Sequence, residues 1–140
     1  MKEVGVINRG IAVAIAKQGH GDLLMISDAG FAIPLGVEVI DLSLEENKPM
    51  VMEVLAMLRK YFSVEKIIMA NQTRDISPTL FANISKSFGE GVDIETVEHT
   101  AIREMSKTVK TVIRTGDFTA YGNVILVSGA GNRWKVERPA

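Results

Sequence analysis

The chain has two histidines, and each lies beside the boundary of a predicted strand. His20 stands between Gly19 and Gly21, directly before an apolar run, while His99 follows the alternating run at residues 92–97. Because imidazole gains and loses protons near neutral pH, either side chain is a candidate general acid or base. The glycines beside His20 permit backbone conformations closed to other residues and leave its ring open to a small molecule. A loop histidine can equally cap a helix or complete a turn, so residue type alone leaves a structural interpretation open.

Asp28 ends the short apolar run at residues 23–28 and is followed by Ala29 and Gly30. One interpretation is an Asx turn into the glycine. The other is a carboxylate directed at a ligand hydroxyl or at an imidazole, because carboxylate oxygens accept hydrogen bonds from both groups. The spacing alone favours neither interpretation.

The polar segment at residues 114–123 separates two predicted strands and ends in Tyr121, Gly122 and Asn123. A phenol and an amide, taken with Asp28 and a histidine, form a set of groups that bind hydroxyls. An apolar cofactor would require a different lining. Glycine and asparagine are also common turn residues, so an ordinary loop is the alternative.

Other chemistries find less support in the sequence. His20, His99 and Asp28 would serve a metal-dependent hydrolase, but the two histidines lack the local spacing typical of metal ligands, and we expect no metal. The glycines near the C-terminus are not followed by a predicted helix, so they do not form the glycine-rich motif that binds dinucleotides. The sequence also lacks the glycine-rich motif with a lysine that forms a phosphate-binding loop.

Short apolar strands alternate with helices along the chain. The first helix is predicted at residues 9–18, with Asn8 as its N-cap and Gly19 closing it in a left-handed conformation. Further helices are predicted from residue 49, at 77–88, and through residue 106 with Thr100 as a possible cap. Strands are predicted at 23–28, 37–40, 66–70, 92–97, 111–114 and 124–128. This alternation predicts an α/β fold, a three-layer α/β/α sandwich with a mostly parallel central sheet. Ligands bind beyond the carboxyl ends of the strands in such folds, and Asp28 lies at one of those ends.

Composition narrows the function classes. The chain has 140 residues, a length typical of one domain. Its 16 basic and 17 acidic residues give a formal charge of −1. This near-neutral charge argues against nucleic acid or an anionic membrane as a partner. It has no cysteine, so disulfides and thiol nucleophiles are excluded. We recognise no export signal or membrane-spanning run, and the expected location is the cytoplasm.

Several short segments, in this order, resemble the D-ribose pyranase and fucose mutarotase family. They are Gly19-His20-Gly21-Asp22, Asp28-Ala29-Gly30, Ile33-Pro34, Ile40-Asp41-Leu42-Ser43-Leu44, Ile113-Arg114-Thr115-Gly116-Asp117-Phe118 and Tyr121-Gly122-Asn123. The resemblance extends over residues 1–131, so we expect a sugar ring isomerase domain there and a C-terminal tail at 132–140. The segment at 121–123 is closer to the fucose branch, whereas those at 28–30 and 41–44 are closer to the ribose branch.

The resemblance implies a cofactor-free isomerase of free monosaccharides that acts beside ribose or fucose uptake. It also implies a homo-oligomer, commonly a ring-shaped decamer, with sites where subunits meet. The acid/base role would fall on His20. Substrate contacts would fall on Asp28, His99, Arg103, Tyr121, Gly122 and Asn123.

Opening a sugar ring requires a proton to reach the ring oxygen while another leaves the anomeric hydroxyl. Because sugars open unaided, general acid/base help of about 10²–10⁴-fold would suffice. We therefore expect a sugar isomerase that interconverts pyranose and furanose forms and anomers, with D-ribose ahead of L-fucose. The alternatives are an L-fucose mutarotase and a non-catalytic sugar-binding accessory of a transport system.

Overall fold

The computed structural model describes residues 1–131 and 133–137. Of the predicted tail, residue 132 and residues 138–140 lie outside the described residues. The described chain forms five helices and six strands: α1 Arg9–Ala16, β1 Leu23–Ser27, β2 Glu38–Asp41, α2 Val51–Tyr61, β3 Val64–Ala70, α3 Asn71–Ile76, α4 Pro78–Lys86, β4 Asp93–Val97, α5 His99–Met105, β5 Thr111–Arg114 and β6 Val124–Ser128. None of these helices is long and apolar enough to cross a membrane.

The strands form one sheet in the order β2-β5-β1-β6-β3-β4. The pairs β1–β5, β2–β5 and β3–β4 are parallel, whereas β6 runs antiparallel to both β1 and β3. The prediction of a mostly parallel sheet is therefore confirmed. Since β6 is reversed, its first residue lies at the same edge of the sheet as the last residue of β1.

Helices cover both faces of the sheet, which confirms the three-layer sandwich. Leu24 and Ile26 of β1 pack into one apolar core with residues of α1, α2 and α4. Met25, between them, packs on the other face against Ile102 of α5. All three β1 side chains are fully buried, as expected of a strand enclosed on both faces.

The ends of α1 show one correct and one wrong prediction. The Asn8 side chain accepts a hydrogen bond from the Ile11 amide at 3.0 Å, so it caps the helix as expected. Gly19 does not close α1 in a left-handed conformation, because the helix ends at Ala16 and its C-cap, Lys17, is right-handed. The left-handed residue is Gly21, at φ 87°, whose amide donates to the Ser128 carbonyl at 2.7 Å. The sharp turn is thus placed where the chain joins the sheet.

Helix α3 is absent from the sequence prediction. It begins directly after β3, and its N-cap, Ala70, provides no side-chain hydrogen bond. Within α3 only Thr73 is buried, so the segment has no apolar periodicity to detect. The helix after β4 begins at His99 with Glu98 as its N-cap, so Thr100 lies inside the helix and does not cap it as predicted.

Candidate functional site

A cavity of about 750 Å³ opens at the carboxyl edge of the parallel strands. Its volume lies in the range of roughly 300–1,000 Å³ that small-molecule sites occupy. The predicted site residues that line it are Asp28, His99, Arg103, Tyr121 and Asn123. Gly122 is buried beside it, and its amide donates to the Asp28 carboxylate at 3.2 Å.

Asp28 follows β1 and is held by donors on both carboxylate oxygens. Oδ1 accepts from the Gly30 amide at 3.0 Å, which forms the Asx turn. Oδ2 accepts from the Gly122 amide at 3.2 Å and from Asn123 Nδ2 at 3.3 Å. The Asx turn is therefore confirmed. The same carboxylate lines the cavity, and its contact with a ligand stays a prediction. Burial raises the pKa of this carboxyl above its ordinary value of 3.8, although the hydrogen bonds from these amides act to lower it.

Asn123 joins the beginning of β6 to the end of β1. Its side-chain Oδ1 accepts from the Asp28 amide at 2.9 Å, and the residue is only 4% exposed. Because Oδ1 is occupied by this amide, Nδ2 must face the Asp28 carboxylate. The two side chains thus fix each other.

Tyr121 has a left-handed backbone, with φ 55°. This conformation is costly for a residue other than glycine and persists where neighbouring structure enforces it. Here Thr73 of α3 donates its hydroxyl to the Tyr121 carbonyl at 2.7 Å. At Gly122, a Cβ would lie 3.0 Å from the Thr119 carbonyl oxygen and 3.5 Å from Asp28 Cβ, so glycine allows the turn to approach the carboxylate.

His99 begins α5, and its amide donates to the Gln72 side chain of α3 at 3.0 Å. Its imidazole meets the Tyr121 ring edge-on, with centroids 5.1 Å apart and planes at 80°. Within the described chain, His99 Nδ1 is buried and has no hydrogen-bond partner, a state that costs free energy unless a ligand satisfies it. Arg103 lies one helical turn further along the same face and lines the cavity.

Arg114 is a cavity residue that the sequence analysis does not assign. Its Nη2 donates to the Ala29 carbonyl at 2.8 Å, and its Nη1 donates to Asp41 at 3.0 Å. Hydrogen bonds from Ser43, together with the nearby guanidinium, hold the pKa of the Asp41 carboxyl below its ordinary value. Arg114 therefore ties β2 and the loop after β1 to β5, through partners that local spacing could not reveal.

Asp117 also lines the cavity, but its carboxylate is committed to the fold. It is 1% exposed, accepts from the Val51 amide at the start of α2 at 2.9 Å, and accepts from the Thr119 amide at 2.8 Å. Beside it, a Cβ at Gly116 would lie 2.5 Å from the Glu45 carbonyl oxygen. These contacts explain why the segment after β5 needs a glycine and an aspartate in succession.

His20 lies at the opposite edge of the sheet, before β1. Its side chain is 71% exposed, and Nε2 is 3.1 Å from Oε2 of Glu65. From its first to its last Cα, β1 spans about 13 Å, four steps of roughly 3.3 Å, and this length separates the His20 imidazole from the cavity. A single chain therefore brings together the predicted substrate contacts but not the predicted acid/base residue. Among the described residues, no group of three or more His, Cys, Asp or Glu side chains lies together in a way that could hold a metal ion.

The model of a family described as the RbsD / FucU transport protein family matches residues 1–131. A D-ribose pyranase of Thermotoga maritima is 43% identical over 133 residues, which cover 92% of this chain and 98% of the relative. One of Pseudothermotoga lettingae is 38% identical over 129 residues, which cover 92% of each chain.

Two solved structures give the same fold. The structure of Bacillus subtilis RbsD complexed with D-ribose superposes with a TM-score of 0.88 at 36% identity, covering 93% of this chain and 98% of that one. The fucose mutarotase of Streptococcus pneumoniae, in complex with L-fucose, superposes with a TM-score of 0.72 at 19% identity, covering 89% of this chain and 94% of that one. At that identity the second match concerns the fold alone.

Proposed function

The chain belongs to the RbsD / FucU transport protein family, and from this premise we propose that it is a cofactor-independent isomerase that interconverts the pyranose and furanose forms of D-ribose. The observation that carries the proposal is the cavity itself. It gathers a carboxylate, an imidazole, a phenol and an amide, from Asp28, His99, Tyr121 and Asn123, around a space large enough to admit a monosaccharide. These are the groups that bind the hydroxyls of a free sugar.

The reaction follows from this chemistry. A protonated imidazole of His20 donates to the ring oxygen as the bond from that oxygen to the anomeric carbon breaks, and the anomeric hydroxyl passes its proton to a solvent water as it becomes the aldehyde. When another hydroxyl attacks the aldehyde, its proton passes to the imidazole, and the former aldehyde oxygen takes a proton back from water. Meanwhile Asp28, Tyr121 and Asn123 hold the remaining hydroxyls, which keeps the open chain near its attack geometry.

A second copy of the chain completes the site in this proposal. Within one chain His20 and the cavity lie at opposite edges of the sheet, so the acid/base group must come from a neighbour. Phe118, at the cavity, is 62% exposed, which suits a surface that another subunit covers. A ring-shaped homo-oligomer, commonly a decamer in the family that the sequence resembles, would repeat this contact. We place its action in the cytoplasm, beside sugar uptake.

Exchange NMR tests the function directly. With catalytic amounts of protein we expect faster exchange between the pyranose and furanose signals of D-ribose, by about 10²–10⁴-fold per bound sugar, and smaller effects on other aldoses. Greater acceleration with L-fucose would identify the mutarotase alternative. Saturable sugar binding with unchanged exchange rates for every sugar would refute catalysis and favour the transport accessory.

Co-expression of two inactive variants tests the shared site. His20→Ala and Asp28→Asn subunits are each expected to be defective, whereas mixed oligomers should recover about one quarter of native activity, because random pairing places an intact His20 against an intact cavity at that frequency. Asp28→Asn co-expressed with Asn123→Ala is the matched control, since both changes affect the same cavity and no pairing repairs it. If the first mixture recovers no more activity than the control, each site is contained in one chain.

A further inference from the structure

We infer that Glu65 is a positioning residue that orients the His20 imidazole for proton transfer. The inference rests on the proposed function, because it assigns Glu65 a part in the same reaction. Glu65 Oε2 lies 3.1 Å from His20 Nε2. Among the described residues, no hydrogen bond or ion pair joins this imidazole to a residue of the cavity.

Glu65 occupies an irregular position in the sheet. Val64 pairs with Ser128 and Lys66 with Val127, so two steps along β3 match one step along β6, and Glu65 is the extra residue of a β-bulge. Bulges bend a strand and redirect a side chain, and they are frequent beside active sites. Here the bulge brings the Glu65 carboxylate to the loop at residues 19–22, which carries His20.

Gly129 provides the space for this carboxylate. A Cβ at position 129 would overlap the Glu65 side chain, including Oε2, the atom nearest the imidazole. Any larger residue there would displace the carboxylate from its present position. The bulge and Gly129 therefore both help to place the Glu65 carboxylate beside His20.

The loop that carries His20 is itself held in place. The Gly21 amide donates to the Ser128 carbonyl at 2.7 Å. Asp22 accepts from the Gly19 amide at 2.7 Å and pairs with Lys110 at 2.6 Å. With the backbone anchored on both sides of His20, the main remaining freedom is rotation of its side chain, which a carboxylate at Nε2 restricts.

The exposure of the His20–Glu65 pair indicates whether it stabilises the fold or positions the imidazole. The side chains of His20 and Glu65 are 71% and 37% exposed, and ion pairs this open contribute little to folding stability. Orientation matters more, because misplacing a reacting group by about 1 Å can cost 10²-fold in rate. With Nε2 against the carboxylate, Nδ1 is the nitrogen left to exchange a proton with the sugar.

Glu65→Leu is the direct test. We expect kcat for ribose ring exchange to fall about tenfold with KM unchanged, because Glu65 orients the acid without touching sugar. Glu65→Gln, which retains an acceptor, should lose less. Gly129→Ala keeps the carboxylate but displaces it, and should lower kcat in the same direction. Glu95→Leu is the matched control, since Glu95 forms a comparable exposed pair with Lys66 at 2.7 Å and should retain full activity.

The nitrogen NMR signals of the His20 ring give a second readout that a structural role would not change. In the native protein they should report the tautomer with hydrogen on Nε2, and in Glu65→Leu they should move toward the mixture shown by free histidine. Full activity in Glu65→Leu, while His20→Ala is inactive, would overturn this inference and leave the proposed function intact. Lost activity with unchanged ring signals would also overturn it. No acceleration by the native protein would instead remove the proposed function.

Discussion

Replacing His20 by alanine is expected to lower the rate of sugar ring exchange by about 10²–10⁴-fold while the protein stays folded. The first part follows from the proposed chemistry, in which the imidazole would supply and recover the proton at the sugar oxygens. The second follows from exposure: the side chain is 71% exposed, and such surface substitutions usually change the free energy of unfolding by less than about 0.5 kcal/mol. Exchange NMR measures the rate, and thermal unfolding measures the stability.

Lys17→Ala is a suitable control, because Lys17 is the exposed C-cap of α1 and, like His20, precedes β1. It should exchange ribose at the native rate. Sugar affinity should also survive in His20→Ala, since the cavity residues are unchanged. A His20→Ala protein with undiminished turnover would transfer the acid/base role to another group, of which His99 in the cavity is the first candidate.

The parts of the fold that could be predicted are those with a strong local apolar pattern. The sequence predicts β1, β5 and β6 clearly because each is an interior strand with a neighbour on either side. Such strands are buried on both faces and therefore consist mainly of apolar residues. The same logic located Asp28 at a strand end. Because ligands bind where the carboxyl ends of strands meet helix starts, the edge that carries the cavity was also predictable.

Long-range features could not be read in this way. The reversed direction of β6 follows from packing of the whole sheet, and it is what brings Asn123 to Asp28. α3 has almost no buried face, yet it holds the backbones of both Tyr121 and His99 through Thr73 and Gln72. Arg114 acts through Asp41, which is 73 residues away along the chain. Spacing along a sequence carries no information about such contacts.

The position of His20 shows a different limit. Its residue type and its glycine neighbours suggested acid/base chemistry. The sequence also places it before the strand predicted at 23–28 and places Asp28 at the end of that strand, so the length of β1 separates the two residues within one chain. Spacing along one chain gives no sign of a site that two subunits would share, as the proposed function requires.

Asp28→Asn is expected to lower kcat/KM for ribose by about 10²-fold, although the two side chains have nearly the same shape. Donors surround the native carboxylate: Gly30 on one oxygen, and Gly122 with Asn123 on the other. Whichever way the new amide turns, its Nδ2 faces an N–H group. One native hydrogen bond is then lost, and a charge-assisted bond to a sugar hydroxyl, worth about 1.5–3 kcal/mol, is lost with the charge.

The pH dependence of stability provides an independent check on Asp28. Burial raises the pKa of its carboxyl in the folded protein above 3.8, so the folded chain holds this proton more tightly than the unfolded chain. The stability that Asp28 contributes is therefore fully present below pH 3.8 and is lost as the pH rises through the folded-state pKa. The asparagine variant does not titrate here. Its deficit in free energy of unfolding should be largest in acid and should narrow toward neutral pH.

Chemical denaturation across this pH range measures that difference, with Asp93→Asn as control, because Asp93 is exposed at the start of β4. The control should follow the native curve closely. A deficit in Asp28→Asn that widens as the pH rises would mean that the folded protein stabilises the charged carboxylate. The surrounding amides would then outweigh burial, and Asp28 would be fully ionised well below the pH at which an imidazole exchanges protons.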